Sequence, residues 1–260
     1  MHRTLLIVLL SVLAAHGSGA SAATIEYIAH ACFVIESDAG ERILIDPYAS
    51  RVWLGYDFPE PPPVDAVVVT HPHYDHDAGR YRGQDWPWDD TVEVFDRPGE
   101  YSPGSIEIKG VRGKHADPYG KEFGQLNTIF RIDVDGLSIV HVGDNGPLTE
   151  ANFDELDRAD ILMVPADALE HILKNDEIAA IVAALQPGVV IPMHYRIPEL
   201  ESEADSPDDL GEIEPWLEGR GNVQRVGGHL WNSADTPEGE QTTILVFDPS
   251  PSVARASSRR

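Results

Sequence analysis

Three histidines and one aspartate crowd into six positions, and this cluster constrains the chain more than any other feature. The sequence H-x-H-x-D-H covers residues 71–76 and follows an apolar, β-branched run at residues 64–69. Such a run predicts a buried strand, which places the cluster in the loop at its carboxyl end. Imidazole and carboxylate groups ligate Zn²⁺, Mn²⁺ and Fe ions, whereas a solvated histidine-rich loop is the alternative. The spacing predicts that His71 and His73 face one ion, and that Asp75 and His76 face a second.

Several other segments accompany this motif in a defined order along the chain. They are His30-Ala31-Cys32-Phe33, the predicted strand at residues 43–48, His141-Val142-Gly143-Asp144 and the strand with its histidine at residues 191–195. With the H-x-H-x-D-H motif they resemble the metallo-β-lactamase fold superfamily, the αββα metallo-hydrolases, over roughly residues 24–247. The first and last of these segments are most similar to the L-ascorbate-6-phosphate lactonase-like branch.

The resemblance implies an α/β fold, an αββα sandwich of two mixed β-sheets flanked by helices. It also implies two divalent metal ions, zinc in the first instance, with manganese or iron as alternatives. The implied ligand set comprises His71, His73 and His115 for one ion, Asp75, His76 and His194 for the other, and Asp144 as a bridge. Two local alternatives remain open. Asp117 is the nearest acidic residue that could ligate the metal ion in place of His115. Asp144, considered without the other ligands, would be interpreted as a turn residue.

Five further residues lie in the matching segments or near them, and most have an ordinary structural interpretation. We expect His30 to be a structural histidine bonded to backbone, His141 to be packed in a strand, and His171 to lie at the surface. Cys32 is expected to be a small buried apolar residue. For Asp46 two interpretations are balanced, orientation of a ligand histidine or hydrogen bonding to local amides at a strand end.

Aromatic loops and a basic strand are weaker candidates for pocket walls. Packed loops and a solvated strand face are the favoured interpretations, and contact with substrate is the alternative. The residues concerned are Trp53, Tyr56 and Phe58, then Trp86 and Trp88, and then Lys109, Arg112 and Lys114. Tyr195 is interpreted equally well as a core residue or as a donor to a developing oxyanion, and the acidic stretch at residues 199–218 as a solvated insertion or a lid.

The amino terminus predicts export. Arg3, an apolar stretch and Ala20-Ser21-Ala22 together are typical of a secretory signal peptide over residues 1–22, and an uncleaved anchor helix is the alternative. The predicted hydrolase domain then covers residues 23–248, and residues 249–260 are predicted to be a disordered tail. The mature protein is expected in the periplasm or outside the cell, without stable insertion into a membrane after cleavage.

Charge and cysteine content restrict the possible partners. The formal net charge of −25 disfavours nucleic-acid binding, because a strongly acidic protein repels phosphate backbones. Cys32 is the only cysteine, so an internal disulfide is excluded. We therefore expect a small-molecule substrate, and the sequence does not indicate an oligomeric state.

The expected reaction is hydrolysis. Two close divalent ions can hold a hydroxide at neutral pH, because ligation lowers the pKa of water, and no serine or cysteine nucleophile is needed. Asp75 and Asp144 are the predicted catalytic residues, and the bond is an ester, lactone or phosphoester. The alternatives are an iron-dependent oxidoreductase on the same fold, a β-lactamase and a non-catalytic metal-binding protein. Asp144 and the position of Cys32 both argue against the β-lactamase.

Overall fold

The computed structural model describes residues 22–78, 88, 91–200, 209–237, 239 and 241–253. The predicted signal peptide lies outside these residues except for Ala22, and so do Trp86 and part of the acidic stretch at residues 199–218. Among the described residues, no helix is both long and apolar enough to cross a bilayer.

Six strands form the first sheet, in the spatial order β13-β1-β2-β3-β4-β5. These are β1 (Thr24–Ala29), β2 (Cys32–Glu36), β3 (Arg42–Ile45), β4 (Ala66–Val68), β5 (Glu93–Phe95) and β13 (Leu230–Asn232). The pairs β1–β2 and β2–β3 are antiparallel, whereas β3–β4 and β4–β5 are parallel. Strand β4 is buried at every position, which explains why its sequence is continuously apolar rather than alternating.

Eight strands form the second sheet, in the spatial order β12-β14-β11-β10-β9-β8-β7-β6. These are β6 (Gly99–Tyr101), β7 (Glu107–Lys114), β8 (Leu126–Val134), β9 (Leu137–His141), β10 (Ile161–Pro165), β11 (Val189–Met193), β12 (Val223–Arg225) and β14 (Thr243–Val246). Strands β6 to β9 are antiparallel neighbours, and β9 to β11 are parallel. Both sheets are therefore mixed, as predicted for the αββα sandwich.

The described helices are short. They are α1 (Tyr74–Asp77), α2 (Glu150–Leu156), α3 (Asn175–Leu185) and α4 (Ile213–Leu217), with 3₁₀ turns at Tyr119–Phe123 and Ser233–Asp235. Thr149 caps α2 through a capping box with Asn152, a pattern that marks a helix start in sequence. Helices α2 and α3 connect β9, β10 and β11, and this β-α-β alternation produces the parallel part of the second sheet.

Four details differ from the sequence-based expectations. Strand β5 pairs in parallel with β4, although its alternation of polar and apolar residues is typical of an antiparallel strand, and no sequence pattern indicates the short strands β6 and β13. Helix α4 lies in the stretch expected to be solvated, and its apolar side chains are buried. Residues 249–253 belong to the predicted disordered tail, yet the Ser250 amide donates to the Ile28 carbonyl and Val253 is buried. Residues 249–253 therefore pack against the domain, and the rest of the predicted tail lies outside the described residues.

Candidate metal centre

The carboxyl ends of several parallel strands meet at one edge of the sandwich. Asp46 follows β3, residues 69–73 follow β4, Asp144 lies three residues after the end of β9, and His194 directly follows β11. His115 directly follows the antiparallel strand β7. It lies at the same edge, since its backbone forms an isolated antiparallel bridge with that of Asn145. In open α/β sheets this edge is where ligands bind, because the loops there converge from different strands.

Eight side chains form two candidate metal-binding clusters. Cluster 1 consists of His71, His73, His115 and Asp144, and cluster 2 consists of His30, Asp75, His76 and His194. Within each cluster the ligand-type atoms lie within 4.8 Å of one another. All seven residues predicted as metal ligands are therefore brought together, and His30 is an additional member.

Asp144 lies between the two clusters. Its Oδ1 is 3.3 Å from His76 Nε2, and its Oδ2 is 3.1 Å from His194 Nε2. The same Oδ2 is 3.6 Å from His115 Nε2 and 3.7 Å from His71 Nε2. A carboxylate placed among four imidazole nitrogens from both clusters has the geometry that a bridging ligand requires.

The ring orientation of three of the histidines is fixed by contacts to Nδ1, the nitrogen that faces away from the clusters. His76 Nδ1 donates to Asp46 Oδ2 at 2.7 Å, and His115 Nδ1 donates to the Ala116 carbonyl at 2.9 Å. His71 Nδ1 is 3.0 Å from the Thr70 hydroxyl. In each case the Nε2 atom faces the clusters, and partners of this kind hold ligand rings and their tautomers in metalloproteins. Asp46 therefore orients His76, which is the first of the two roles predicted for Asp46.

Three residues at the site have a strained backbone. His30, Asp46 and His194 adopt left-handed conformations, with φ of 59°, 45° and 60° respectively. Such values cost non-glycine residues of the order of 1–3 kcal/mol each and persist where the surrounding structure imposes them. All three residues immediately follow a strand, so the strained turn directs each side chain back towards the edge of the sheet.

Several buried polar atoms at the site lack a hydrogen-bond partner among the described residues. They are Nε2 of His76, His115 and His194, Nδ1 of His30 and His194, and Oδ1 of Asp144. A buried polar atom without a partner costs about 1–3 kcal/mol. Converging nitrogen lone pairs and carboxylates are what a divalent transition-metal ion requires, so these residues fit two such ions.

Charge interactions set the protonation of the clusters in the metal-free chain. Burial acts to raise the pKa of Asp144, but the positive charges of His194 and His76 outweigh burial and hold that pKa well below its usual value. Burial also opposes protonation of His194, yet Asp144 raises its pKa to about 9. By contrast, burial and the charge of His194 lower the pKa of His30 to about 3. Asp144 is therefore negative, and His30 is a neutral imidazole.

His30 was expected to be a structural histidine bonded to backbone, and this is wrong. It occupies the tight turn between β1 and β2, and its Nε2 lies 3.1 Å from Asp75 Oδ2. Its ring centroid is 4.0 Å from that of His194. The sequence signal was the His30-Ala31 pair at a hairpin corner, but strand sequence alone does not give the direction of a turn side chain.

Two aromatic side chains also reach the site. His171 was expected at the surface but is partly buried, with its ring stacked 5.6 Å from His194 and 4.4 Å from Tyr119. The Trp53 ring centroid lies 6.0 Å from that of His194. Tyr56, from the same aromatic loop, is buried. Trp53 and His171 therefore form a wall beside cluster 2.

The remaining expectations concern core residues. Cys32 is fully buried in β2, as predicted. His141 is buried and bonds the Ala31 carbonyl at 3.1 Å, which confirms that it is packed. Tyr195 is buried with its ring 6.4 Å from Tyr27, so it is a core residue. Trp88 is buried and donates to the Pro62 carbonyl.

Comparison with known proteins identifies the family of this chain. A family model described as a β-lactamase superfamily domain matches residues 24–194. The chain belongs to the metallo-β-lactamase superfamily. A metal-dependent hydrolase of Pelotomaculum thermopropionicum is 31% identical over 205 residues, which cover 66% of this chain and 84% of the relative. A metal-dependent hydrolase of Thermoplasma acidophilum is 28% identical over 188 residues, which cover 64% of this chain and 80% of the relative.

A solved structure supports the same family. It is that of a candidate Zn-dependent hydrolase of the metallo-β-lactamase superfamily from Thermotoga maritima, with 25% identity and a TM-score of 0.63. The match covers 88% of this chain and all of the Thermotoga chain. The similarity to the L-ascorbate-6-phosphate lactonase-like branch stays a prediction.

Proposed function

We propose that this superfamily member is a hydrolase with two divalent metal ions, which cleaves an ester, lactone or phosphoester bond in a small molecule. The position of the Asp144 carboxylate between two clusters of imidazoles carries the proposal. The names of its relatives, metal-dependent hydrolases and a candidate Zn-dependent hydrolase, support the reaction class and favour zinc.

Each ion would be held by one cluster and share Asp144. His71, His73 and His115 would hold the first ion together with Asp144. The residues of cluster 2 would hold the second ion. When bound, the ions supply Lewis acidity and lower the pKa of water close to neutrality.

The chain's own side chains position the reactants. Asp75 is ionised in the metal-free chain: burial would raise its pKa, but His76, His194 and His30 outweigh that effect and lower it. Its Oδ2 lies within 3.4 Å of both His76 Nε2 and His194 Nε2, so the carboxylate can orient an attacking water at the clusters. The rings of Trp53 and His171, with centroids 5.8 Å apart, line one side of cluster 2.

Three further parts of the proposal rest on sequence. Export to the periplasm or the medium is supported by the signal-peptide pattern of residues 1–22. A small-molecule substrate, rather than a nucleic acid, is supported by the net charge of −25. A lactone substrate is supported by the resemblance of the segments around His30 and His194.

Elemental mass spectrometry tests the metal content. The chain from residue 23 is purified without added metal and analysed for bound ions, before and after incubation with excess metal. Two zinc or manganese ions per chain are expected. One ion or none after incubation would overturn the bridging role of Asp144, and tightly bound iron would favour the oxidoreductase.

A substrate panel tests the reaction. Esters, lactones, phosphoesters and a β-lactam are supplied to the metal-loaded protein, with Asp144→Ala as the inactive variant. Asp160→Ala is the matched control. Asp160 lies in a surface loop between α2 and β10, and its carboxylate accepts hydrogen bonds from Ser138. Hydrolysis that persists in Asp144→Ala would contradict the proposal.

A further inference from the structure

A cavity of about 330 Å³ lies between the two sheets, outside the converging ligand atoms. It is next to the loop of residues 69–73 that carries His71 and His73, which we call the metal loop. We call the cavity itself the β5–β7 cavity. It is lined by residues 69–72 of the metal loop, residues 96–98 after β5, and Arg112, Leu126 and Thr128 on β7 and β8. Its volume is at the lower end of the range for small-molecule sites, which suits a ligand of one ring. Of the cluster residues, only His71 contributes to the lining.

The fold builds this cavity through close approaches. The Thr128 amide donates to the Thr70 carbonyl at 2.8 Å, which joins the second sheet to the metal loop. On β7, a Cβ at Gly110 would lie only 2.8 Å from the Arg97 carbonyl, so glycine lets the segment after β5 pack onto β7. Thr70 and Thr128 are buried, so they form a fixed floor rather than a mobile surface.

Arg112 differs from the cations on either side of it. Lys109 pairs with Glu155 at 3.8 Å, and Lys114 pairs with Asp117 at the same distance. Among the described residues, no ion pair or hydrogen bond engages the Arg112 guanidinium. Arg112 is an exposed residue, and it lines the cavity in a chain with a net charge of −25.

The other charged groups at the cavity are already engaged. Arg97 pairs with its neighbour Asp96, with Nε 3.0 Å from Oδ1. Asp77 also lines the cavity, but it is buried and has an interaction partner of its own. The side chain that remains for a ligand is Arg112, whose guanidinium offers a fork of donors suited to carboxylate or phosphate oxygens.

We propose that the β5–β7 cavity binds a small organic acid. Arg112 binds the anionic group, a carboxylate or a phosphate-type group, and the apolar body of the ligand packs against Val69, Pro72 and Leu126. Because His71 belongs to both the cavity wall and cluster 1, an occupied cavity lies next to the metal centre without using its ligand atoms.

Calorimetric titration of the metal-loaded protein tests this site by binding, so the result does not depend on turnover. The probes are benzoate, phenylphosphonate and the neutral benzamide. One or both acids should bind with one site per chain, and benzamide should bind at least tenfold more weakly. The tighter acid identifies the anionic group that the cavity prefers.

Arg112→Gln should weaken binding of the preferred acid by about 10- to 100-fold, which is typical for loss of a hydrogen bond to a charged group. Arg225→Gln is the matched control: it removes the same charge from β12, where Arg225 pairs with Glu214, and should leave the affinity unchanged. Leu126→Ala tests the apolar wall independently, because Leu126 is 55% exposed and its truncation should not disturb folding. It should weaken binding several-fold.

Two results would overturn the proposal. One is the absence of binding by both acids at millimolar concentration. The other is binding that neither Arg112→Gln nor Leu126→Ala weakens, which would place the acids elsewhere, for example at the metal ions.

Discussion

Replacing Asp46 by asparagine should weaken the second metal site without unfolding the protein. Asp46 is fully buried and accepts three hydrogen bonds: from the Thr70 amide at 2.7 Å, from the Thr70 hydroxyl at 2.8 Å and from His76 Nδ1 at 2.7 Å. Two of these reach Oδ2, and one reaches Oδ1. Asparagine keeps the shape and tolerates the left-handed backbone at this position, but one of its two acceptors becomes an NH₂ donor.

The direction of the effect follows from the histidine tautomer. If the amide nitrogen takes the place of Oδ2, His76 Nδ1 must become the acceptor, and the ring proton moves to Nε2. That proton then points at cluster 2, where a ligand nitrogen must be unprotonated. If the amide is turned the other way, its NH₂ group opposes the Thr70 amide instead. Loss of such a supporting partner typically weakens metal affinity by about 10- to 100-fold, which is about 1.4–2.7 kcal/mol.

The assay is titration of metal-free protein with Zn²⁺ against a chromophoric chelator, with thermal unfolding of the metal-free form measured in parallel. We expect the first ion to bind nearly as in the unchanged protein, and the second to bind at least tenfold more weakly. Asp160→Asn is the control, since its carboxylate also accepts an amide and a hydroxyl from one residue, Ser138, away from the site. Two ions bound by Asp46→Asn with unchanged affinities would refute the assigned role of Asp46.

Three other outcomes are expected. Asp75→Ala should abolish hydrolysis and leave the far-ultraviolet circular dichroism unchanged; unchanged turnover would remove Asp75 from the reaction. His30→Gln should reduce occupancy of the second ion in elemental analysis, whereas His141→Gln, at an equally buried histidine bonded to backbone, should retain both ions. Zinc affinity should rise with pH between about 6.5 and 9, because the folded, metal-free chain raises the pKa of His194 to about 9 and the ion needs the neutral ring. Proton release on zinc binding, measured at pH 8 in buffers of different ionisation enthalpy, checks this, and no release would contradict it.

The same pKa shift has a consequence for the stability of the metal-free protein. The pKa of His194 is higher in the folded chain than the ordinary value of 6.5, so the protonated ring contributes stability fully below pH 6.5. That contribution is lost as the pH rises through about 9. The carboxyl pKa of Asp144 is lowered on folding, so its contribution is present above pH 3.8 and is lost at lower pH. Metal-free protein should therefore become less stable between pH 6.5 and 9 as His194 loses its proton.

Local sequence was sufficient for most of the strands and for the kinds of metal ligand. Residues 66–69 are all apolar because both faces of β4 are covered, and this is visible in the sequence alone. The capped start of α2 at Thr149 is similarly local. Strands β6 and β13 have only three residues each, which is too short for a periodic pattern to be recognised.

The sequence by itself determined which residue types are available, in which order, and at the ends of which strands. Only the tertiary structure decided that His30 joins Asp75, although 45 positions separate them, and that Arg112 lines a cavity while Lys109 binds α2. The physical reason is that sequence periodicity fixes which face of a strand a side chain occupies. It does not fix the direction of a left-handed turn such as that at His30, nor what the opposite sheet places against a face. Both depend on strand pairing between distant segments, through which the two metal clusters are assembled.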